Sequence, residues 1–239
     1  MKISFIIPTL DEEKNIERVV SQFNVLKGKF DYELIVADGG SKDKTREIAK
    51  KLGAKVIKNN RKNQNAAKNR NLGAKYSKGE IIVFCDADTK LKNPVFFCKI
   101  ILSKFKNKNI IAGVPKIRVF PDEENVEDKV YMKLFNKFIE MSLKTKRPMA
   151  SGQCQIIKKE YFDKVKGYDE KLAWGEDNDL FFRLQKYGKF YFFSNLVVYE
   201  SPRRYRKWGY PKLITTAAAN FLSRIVLKKE LIKEWKRVD

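Results

Sequence analysis

Two acidic clusters carry most of the chemistry this chain could perform. The first is Asp86-Ala87-Asp88, which directly follows the apolar run Ile81–Cys85 (IIVFC). Two carboxylates two positions apart, where a buried strand leaves its sheet, face one site, and left unpaired they repel and raise each other's pKa. A hard divalent cation relieves that repulsion, and Mg²⁺ characteristically takes one or two protein carboxylates together with substrate phosphates. Taken alone, the triplet equally describes a solvated loop or a helix cap. The second cluster is Gly175-Glu176-Asp177-Asn178-Asp179, immediately before Leu180-Phe181-Phe182-Arg183-Leu184. Asp177 precedes Leu180, Phe181 and Leu184 by three, four and seven positions, so it shares their core-facing side of a helix. That places it at the inward edge of the helix N-terminus, where a partly dry carboxylate can serve as a general base. The plainer alternative is that Glu176 and Asp179 complement the helix dipole while Asp177 caps the helix.

Phosphate recognition needs cations or oriented N–H groups. Candidates are Arg70, within Asn65–Gly73, and Arg203-Arg204 after Ser201-Pro202. Solvated surface charge is the usual fate of such residues. Neither GxxxxGK[ST] nor GxGxxG occurs, so a P-loop and a dinucleotide fingerprint are both excluded. The chain contains no histidine. Ser-His and Cys-His nucleophile pairs, HExxH zinc sites and His-ligated fingers are therefore excluded, and acid–base work falls to carboxylates, Lys, Tyr or Cys.

The elements that must position these groups follow an alternating rhythm. Ile3–Ile7 is a continuous apolar run stopped by Pro8, as expected of a strand buried on both faces. Ile16, Val19, Val20, Phe23 and Leu26 recur at helical spacing up to Gly28. A strand over Glu33–Ala37, a helix over Thr45–Leu52, a strand over Ala54–Ile57, a helix over Gln64–Ser77 and a strand over Ile81–Cys85 follow. This βαβαβαβ order predicts an α/β fold with a mainly parallel, Rossmann-like sheet and helices on both faces. Ligands bind such sheets at the carboxyl ends of the strands, where Pro8, Asp38 and Asp86 stand. Beyond them, the patterns predict helices over Pro94–Phe105, Val126–Leu143, Leu180–Tyr187 and Leu213–Val238, and strands over Ile110–Val114, Cys154–Ile157 and Phe190–Tyr199.

The 239 residues, 43% hydrophobic, suffice for one large domain with an appendage. Cys85, Cys98 and Cys154 lack CxxC spacing, which argues against a disulfide framework or zinc site and fits a reducing cytosol. No apolar run reaches the roughly 20 residues of a membrane span. The expected address is cytoplasmic.

Four motifs in order resemble the family 2 glycosyltransferases of the GT-A fold. Ile3–Ile16 (ISFIIPTLDEEKNI) is similar to the opening strand and PxYNE turn, and Glu33–Thr45 (ELIVADGGSKDKT) to the second strand and its acidic turn. Ala66–Thr89 resembles the RNxG…GE…DAD block and Lys164–Leu184 the GGFDE…GEDxDL block. The resemblance covers roughly residues 1–200 and implies inverting transfer of a sugar from a UDP- or GDP-sugar to an acceptor hydroxyl or lipid phosphate. It implies a donor-binding half over about 1–115 and an acceptor-side half over about 116–200. By position it places Mg²⁺ or Mn²⁺ on Asp86 and Asp88, with Asp88 the direct ligand and Ala87 between them at the donor. Pro8, Leu10 and Glu12 fall around the nucleoside, Asp38 at the base, Arg70 at the diphosphate, and Asp177 with Glu176 at the catalytic base. Leu10-Asp11 and Gly39 depart from the family's usual residues, leaving UDP and GDP both open. Some members place a late histidine on the metal; here Glu200, Ser201 or water must fill that place.

Charge bears on the acceptor. With 51 Lys and Arg against 29 Asp and Glu the formal charge is +22. Residues 201–239 form a basic amphipathic tail, which suits either an anionic surface on the inner membrane face or packing on the domain. Expected partners are thus a nucleotide-diphospho-sugar and a sugar or polyprenyl-linked acceptor. Nucleic acid is not expected, since the basic residues are spread along the chain and form no recognition motif. A binder of nucleotide sugars or nucleic acid without transferase activity is the competing class.

Overall fold

A computed structural model of the chain describes residues 1–61 and 64–226. The expected alternation is present: β1 (Ile3–Thr9), α1 (Ile16–Ser21), β2 (Tyr32–Asp38), α2 (Thr45–Lys51), β3 (Lys55–Lys58), α3 (Ala66–Lys75) and β4 (Ile81–Cys85). There follow β5 (Thr89–Leu91), α4 (Pro94–Phe105), β6 (Ile110–Val119), α5 (Val126–Ser142), β7 (Cys154–Lys158) and α6 (Lys159–Lys164). The chain continues through α7 (Glu176–Leu184), β8 (Lys189–Glu200), α8 (Arg203–Trp208) and α9 (Tyr210–Val226).

The eight strands form one sheet in the order β3-β2-β1-β4-β7-β6-β8-β5. β1 to β4 pair in parallel, β7 runs antiparallel to both β4 and β6, and β6 pairs in parallel with β8. Alternate residues of the central strands feed two cores. Phe5, Ile7 and Val83 pack with Val19, Phe23 and Ile101 on one face, and Ile6, Ile82 and Phe84 with Ala67, Phe162 and Phe181 on the other. Burial on both faces is why these strands read as unbroken apolar runs.

Helix starts follow local chemistry. The Asn93 side chain accepts from the Phe96 N–H ahead of Pro94 at the first turn, and Asn125 and Asp128 form a reciprocal capping box on α5. The tight approach of α3 to β1 depends on Gly73, where a Cβ would lie 2.3 Å from Ile6 Cγ2. Three residues earlier on the same face, Arg70 is thereby delivered to the ends of the parallel strands.

Several boundaries differ from the sequence reading. Ile16–Leu26 is not one helix: α1 stops at Ser21 and a 3-10 turn covers Asn24–Leu26, though all five apolar positions are buried. Strand β5 and helix α6 were not expected; three residues, and six at the end of a strand, are too short to show periodicity. The C-terminal helical stretch begins earlier than Leu213. α8 is clamped to α5 by Arg206, which donates to both Asp128 oxygens, and α9 is tied to the same carboxylate by the Tyr210 hydroxyl. The expectation for residues 227–239 lies outside the described residues.

Candidate active site

The carboxyl ends of β1 and β4 open into a cavity of about 1200 Å³. This exceeds the roughly 300–1,000 Å³ of ordinary small-molecule pockets. Because β7 runs against β4, its beginning arrives here: Cys154 pairs with Cys85, and the Asp86 N–H donates to the Gln153 carbonyl at 3.1 Å. The loop before β7, the start of α7 and the start of α8 thus close around Asp86-Ala87-Asp88.

Arg70 organises the centre. Its side chain is 4% exposed; Nη1 donates to Glu176 Oε1 at 2.7 Å, and Nη2 donates to Asp86 Oδ1 at 2.7 Å and to the Gly152 carbonyl at 3.2 Å. Burial disfavours its charge, but Asp86, Tyr168 and Glu176 hold it protonated above its usual range. The Tyr168 ring lies 5.5 Å from the guanidinium carbon. Glu176 is thereby neutralised, whereas the adjacent Asp177 accepts from the Asn178 N–H at 2.8 Å. Burial, and next the neighbouring Glu176, push Asp177 up to about 7. Asp177 does not cap α7; the N-cap is Gly175, whose φ of 76° lies in the left-handed region that favours glycine. Gly152 permits the packing behind the acid, since a Cβ there would lie 3.2 Å from Asp177 Oδ2.

The second acid of the triplet is held differently. Arg203 Nη2 lies 3.0 Å from Asp88 Oδ2 and 3.5 Å from Glu12 Oε1. Burial and then Asp86 push Asp88 up to about 6, against the pull of Arg203. Glu200 accepts from the Tyr205 hydroxyl and from Gln153 Nε2 at 2.9 Å, and burial raises it to about 8. Glu12, Asp86, Asp88 and Glu200 share one neighbourhood, to which Arg70, Arg203 and Arg204 bring positive charge. This donor set fits a hard divalent cation on Asp86 and Asp88. Among the described residues no group of three or more His, Cys, Asp or Glu could hold an ion unaided. The remaining ligands must come from substrate or water, as is common for Mg²⁺.

Most of the residues singled out from sequence come together here. Pro8, Leu10, Glu12, Arg70, Asp86, Ala87, Asp88, Glu176, Asp177, Arg203 and Arg204 all line the cavity. Asp38 and Ser201 are not among its lining residues. Asp38 is 0% exposed; its carboxylate accepts from the Gly40 and Ser41 N–H groups and from the Thr9 and Ser41 hydroxyls, and these bonds shape the turn after β2. Ser201 Oγ accepts from the Arg203 N–H at 3.4 Å. Arg70, with Glu176, Asp86 and the Gly152 carbonyl as acceptors, joins the two acidic motifs. Gly152, Gln153 and Tyr168 escaped the sequence reading, because each acts through a partner distant in the chain, and Tyr205 did so because its partner Glu200 lies across the turn between β8 and α8.

The parallel sheet, the acidic triplet after β4 and the acid pair opening α7 define a GT-A type nucleotide-sugar transferase fold. Residues 4–166 match the model of the family described as "Glycosyl transferase family 2". The chain belongs to that family. It is 36% identical over 118 residues to a dolichol-phosphate mannosyltransferase of Pyrococcus furiosus, covering 47% of this chain and 32% of that protein. It is 38% identical over 96 residues to a 4,4'-diaponeurosporenoate glycosyltransferase of Staphylococcus haemolyticus, covering 38% of this chain and 25% of that one. The chain thus matches a third or less of these curated relatives' lengths. Among solved structures, a mannosyltransferase from Pyrobaculum calidifontis in complex with GDP-Man and Mn²⁺ superposes with a TM-score of 0.67 at 15% identity, over 91% of this chain and 64% of that one. Glucosyl-3-phosphoglycerate synthase from Mycobacterium tuberculosis, in complex with Mn²⁺, UDP and glucosyl-3-phosphoglycerate, superposes with a TM-score of 0.63 at 19% identity, over 95% and 79%.

Proposed function

We propose that the chain is an inverting glycosyltransferase that moves a sugar from a UDP- or GDP-sugar to an acceptor hydroxyl. The observation that carries this reading is the division of labour in the acid pair. Arg70 neutralises Glu176 and leaves Asp177 on the cavity wall, its affinity for a proton raised into the range a general base needs. In a single in-line displacement, the acceptor oxygen bonds to the anomeric carbon from the face opposite the leaving group. The carbon–oxygen bond to the diphosphate breaks with its electron pair, and the hydroxyl proton passes to Asp177. Pro8, Leu10 and Glu12 flank the nucleotide side of the cavity, while Arg203 and Arg204 bring positive charge to the departing diphosphate. A divalent ion held by Asp86 and Asp88 supplies Lewis-acid stabilisation of that diphosphate when bound.

The relatives support a nucleotide-sugar donor, and two of them name apolar lipid acceptors in their own titles. A lipid-linked acceptor on the inner membrane face therefore belongs to the proposal. A lipid phosphate, already anionic, needs no base, so the acceptor class is itself testable. The experiment is turnover of a panel of UDP- and GDP-sugars with Mn²⁺ or Mg²⁺, in wild type and in Asp177→Asn. The expected result is metal-dependent donor turnover that Asp177→Asn abolishes while donor binding persists. Donor binding without turnover by the wild type makes the chain a nucleotide-sugar binder. Near-wild-type turnover in the variant removes Asp177 from the base role and points to a phosphate acceptor.

A further inference from the structure

Helix α5 carries an apolar stripe that is exposed among the described residues. On α5, Val126, Val130, Leu134, Phe138 and Met141 follow one another at intervals of four, four, four and three residues, so they form one ridge along about four turns. All five are exposed, Leu134 by 65% and Phe138 by 55%. The opposite side of the helix holds Met132, Asn136 and Ile139 in the core, so the ridge is not the side by which α5 packs.

Two further observations say what the ridge meets. Along one flank run Lys129, Lys133 and Lys137, each exposed and four residues apart; Glu140, which pairs with Lys137 at 3.2 Å, and the exposed Glu127 subtract from that charge, and Lys144, Lys146 and Arg147 add to it past the helix end. Along the other flank, Tyr131 and Phe135 line the cavity, where Met149, Leu213 and Phe182 extend the apolar wall. The ridge is therefore continuous with the apolar side of the cavity and bordered by cations. An apolar ridge with a lysine border is the pattern of a helix lying in a membrane interface, where anionic headgroups meet the lysines and acyl chains meet the ridge.

We propose that α5 docks this chain onto an anionic lipid bilayer, setting the apolar side of the cavity against the surface that holds a lipid-linked acceptor. The docking itself stands on the helix alone; only the nature of the acceptor rests on the transferase reading. No described helix is long and apolar enough to cross a membrane.

The test is flotation of the full chain with vesicles of phosphatidylcholine alone and of phosphatidylcholine mixed with phosphatidylglycerol, at low and high salt. The wild type should float with the phosphatidylglycerol vesicles at low salt and be released by salt. Leu134→Glu/Phe138→Glu should lower partitioning at least about tenfold, since two buried apolar contacts are exchanged for charges. Lys129→Glu/Lys133→Glu should lower it by a similar factor, because each lysine contributes about fivefold near an anionic surface. All four positions are exposed, so both variants should fold, which a thermal melt checks. Absence of wild-type binding at low salt overturns the proposal, as does undiminished binding by Leu134→Glu/Phe138→Glu. A wild-type dimer that this variant converts to monomer, without lipid binding, assigns the ridge to a second copy of the chain. Hydrolysis of a water-soluble donor separates the two readings. Hydrolysis retained without flotation defeats the docking alone; flotation retained without hydrolysis in any variant defeats the transferase reading alone.

Discussion

Arg70 and Glu176 stand 106 positions apart in the chain, and Arg70 Nη1 donates to Glu176 Oε1 at 2.7 Å. The same guanidinium reaches Asp86, so one buried cation couples the triplet after β4 to the acid pair of α7. Arg70→Met should leave two carboxylates and the Gly152 carbonyl without their donor. The expected cost is about 3–5 kcal/mol, since one partner of a buried ionic network is removed. Arg70→Lys should recover only a minor part, because an ammonium cannot fork between two acceptors as a guanidinium does. Urea denaturation of both variants checks this; unchanged midpoints would show that Arg70 does not hold the site together.

Asp177 connects activity to pH. Transfer to a hydroxyl requires its carboxylate, so the rate should fall about tenfold per pH unit below about 7. The same shift has a consequence for stability. Its folded pKa lies above the ordinary 3.8, so the native state holds the proton more tightly than the unfolded chain. The contribution of this group to stability is fully present below about 4 and is lost as pH rises through about 7. Asp177→Asn cannot ionise, and should melt higher than wild type above about pH 7, by on the order of 1–3 kcal/mol. The gap should close below about pH 4, and scanning calorimetry across that window reads both limits.

Asp88 tests the metal assignment. Asp88→Asn removes one of the two carboxylates of the triplet and the partner of Arg203. Titration calorimetry with a nucleoside diphosphate should show the Mn²⁺-dependent part of binding weakened at least about tenfold. The metal-independent part should remain within a few-fold. Equal loss of both parts would place Asp88 in nucleotide contact and off the metal.

Asp128 anchors the C-terminal helices through Arg206 and Tyr210. Burial raises its pKa, but the hydrogen bonds from Arg206, Tyr210 and the Asn125 N–H outweigh it and hold the carboxyl at about 2. That stabilisation is present above the ordinary 3.8 and is lost as pH falls through about 2. Asp128→Ala should cost about 2–4 kcal/mol, because it removes the capping box of α5 together with the clamp on α8. Limited proteolysis should cut first near α8. Cleavage elsewhere at wild-type rates would deny the clamp.

The first half of the fold was legible because burial on both faces leaves apolar runs with little ambiguity, as in β1, β2 and β4. The second half was less so. β7 enters against its neighbours, and nothing in Cys154–Lys158 signals strand direction, which depends on where the preceding loop can return. The inward position of Asp177 followed from its spacing to Leu180, Phe181 and Leu184, because a helix converts sequence spacing directly into a shared face. Asp38 is the opposite case. Standing at a strand end made it a candidate, but whether a turn carboxylate faces a ligand or its own backbone depends on the local path of the loop, and here four donors enclose it.

By itself the sequence determined which groups are present: two aspartates after a buried strand, an acid pair opening a helix, no histidine, and an excess of 22 positive charges. Local periodicity and ordered motifs suffice for that, because they depend on neighbours along the chain. Only the tertiary structure decided which acid is neutralised and which is left to take a proton, since Arg70 reaches Asp86 and Glu176 from a third element. It also changed the meaning of α5. The pattern predicts a helix over Val126–Leu143, and only the packed helix separates the residues it buries from the apolar ridge it leaves bare.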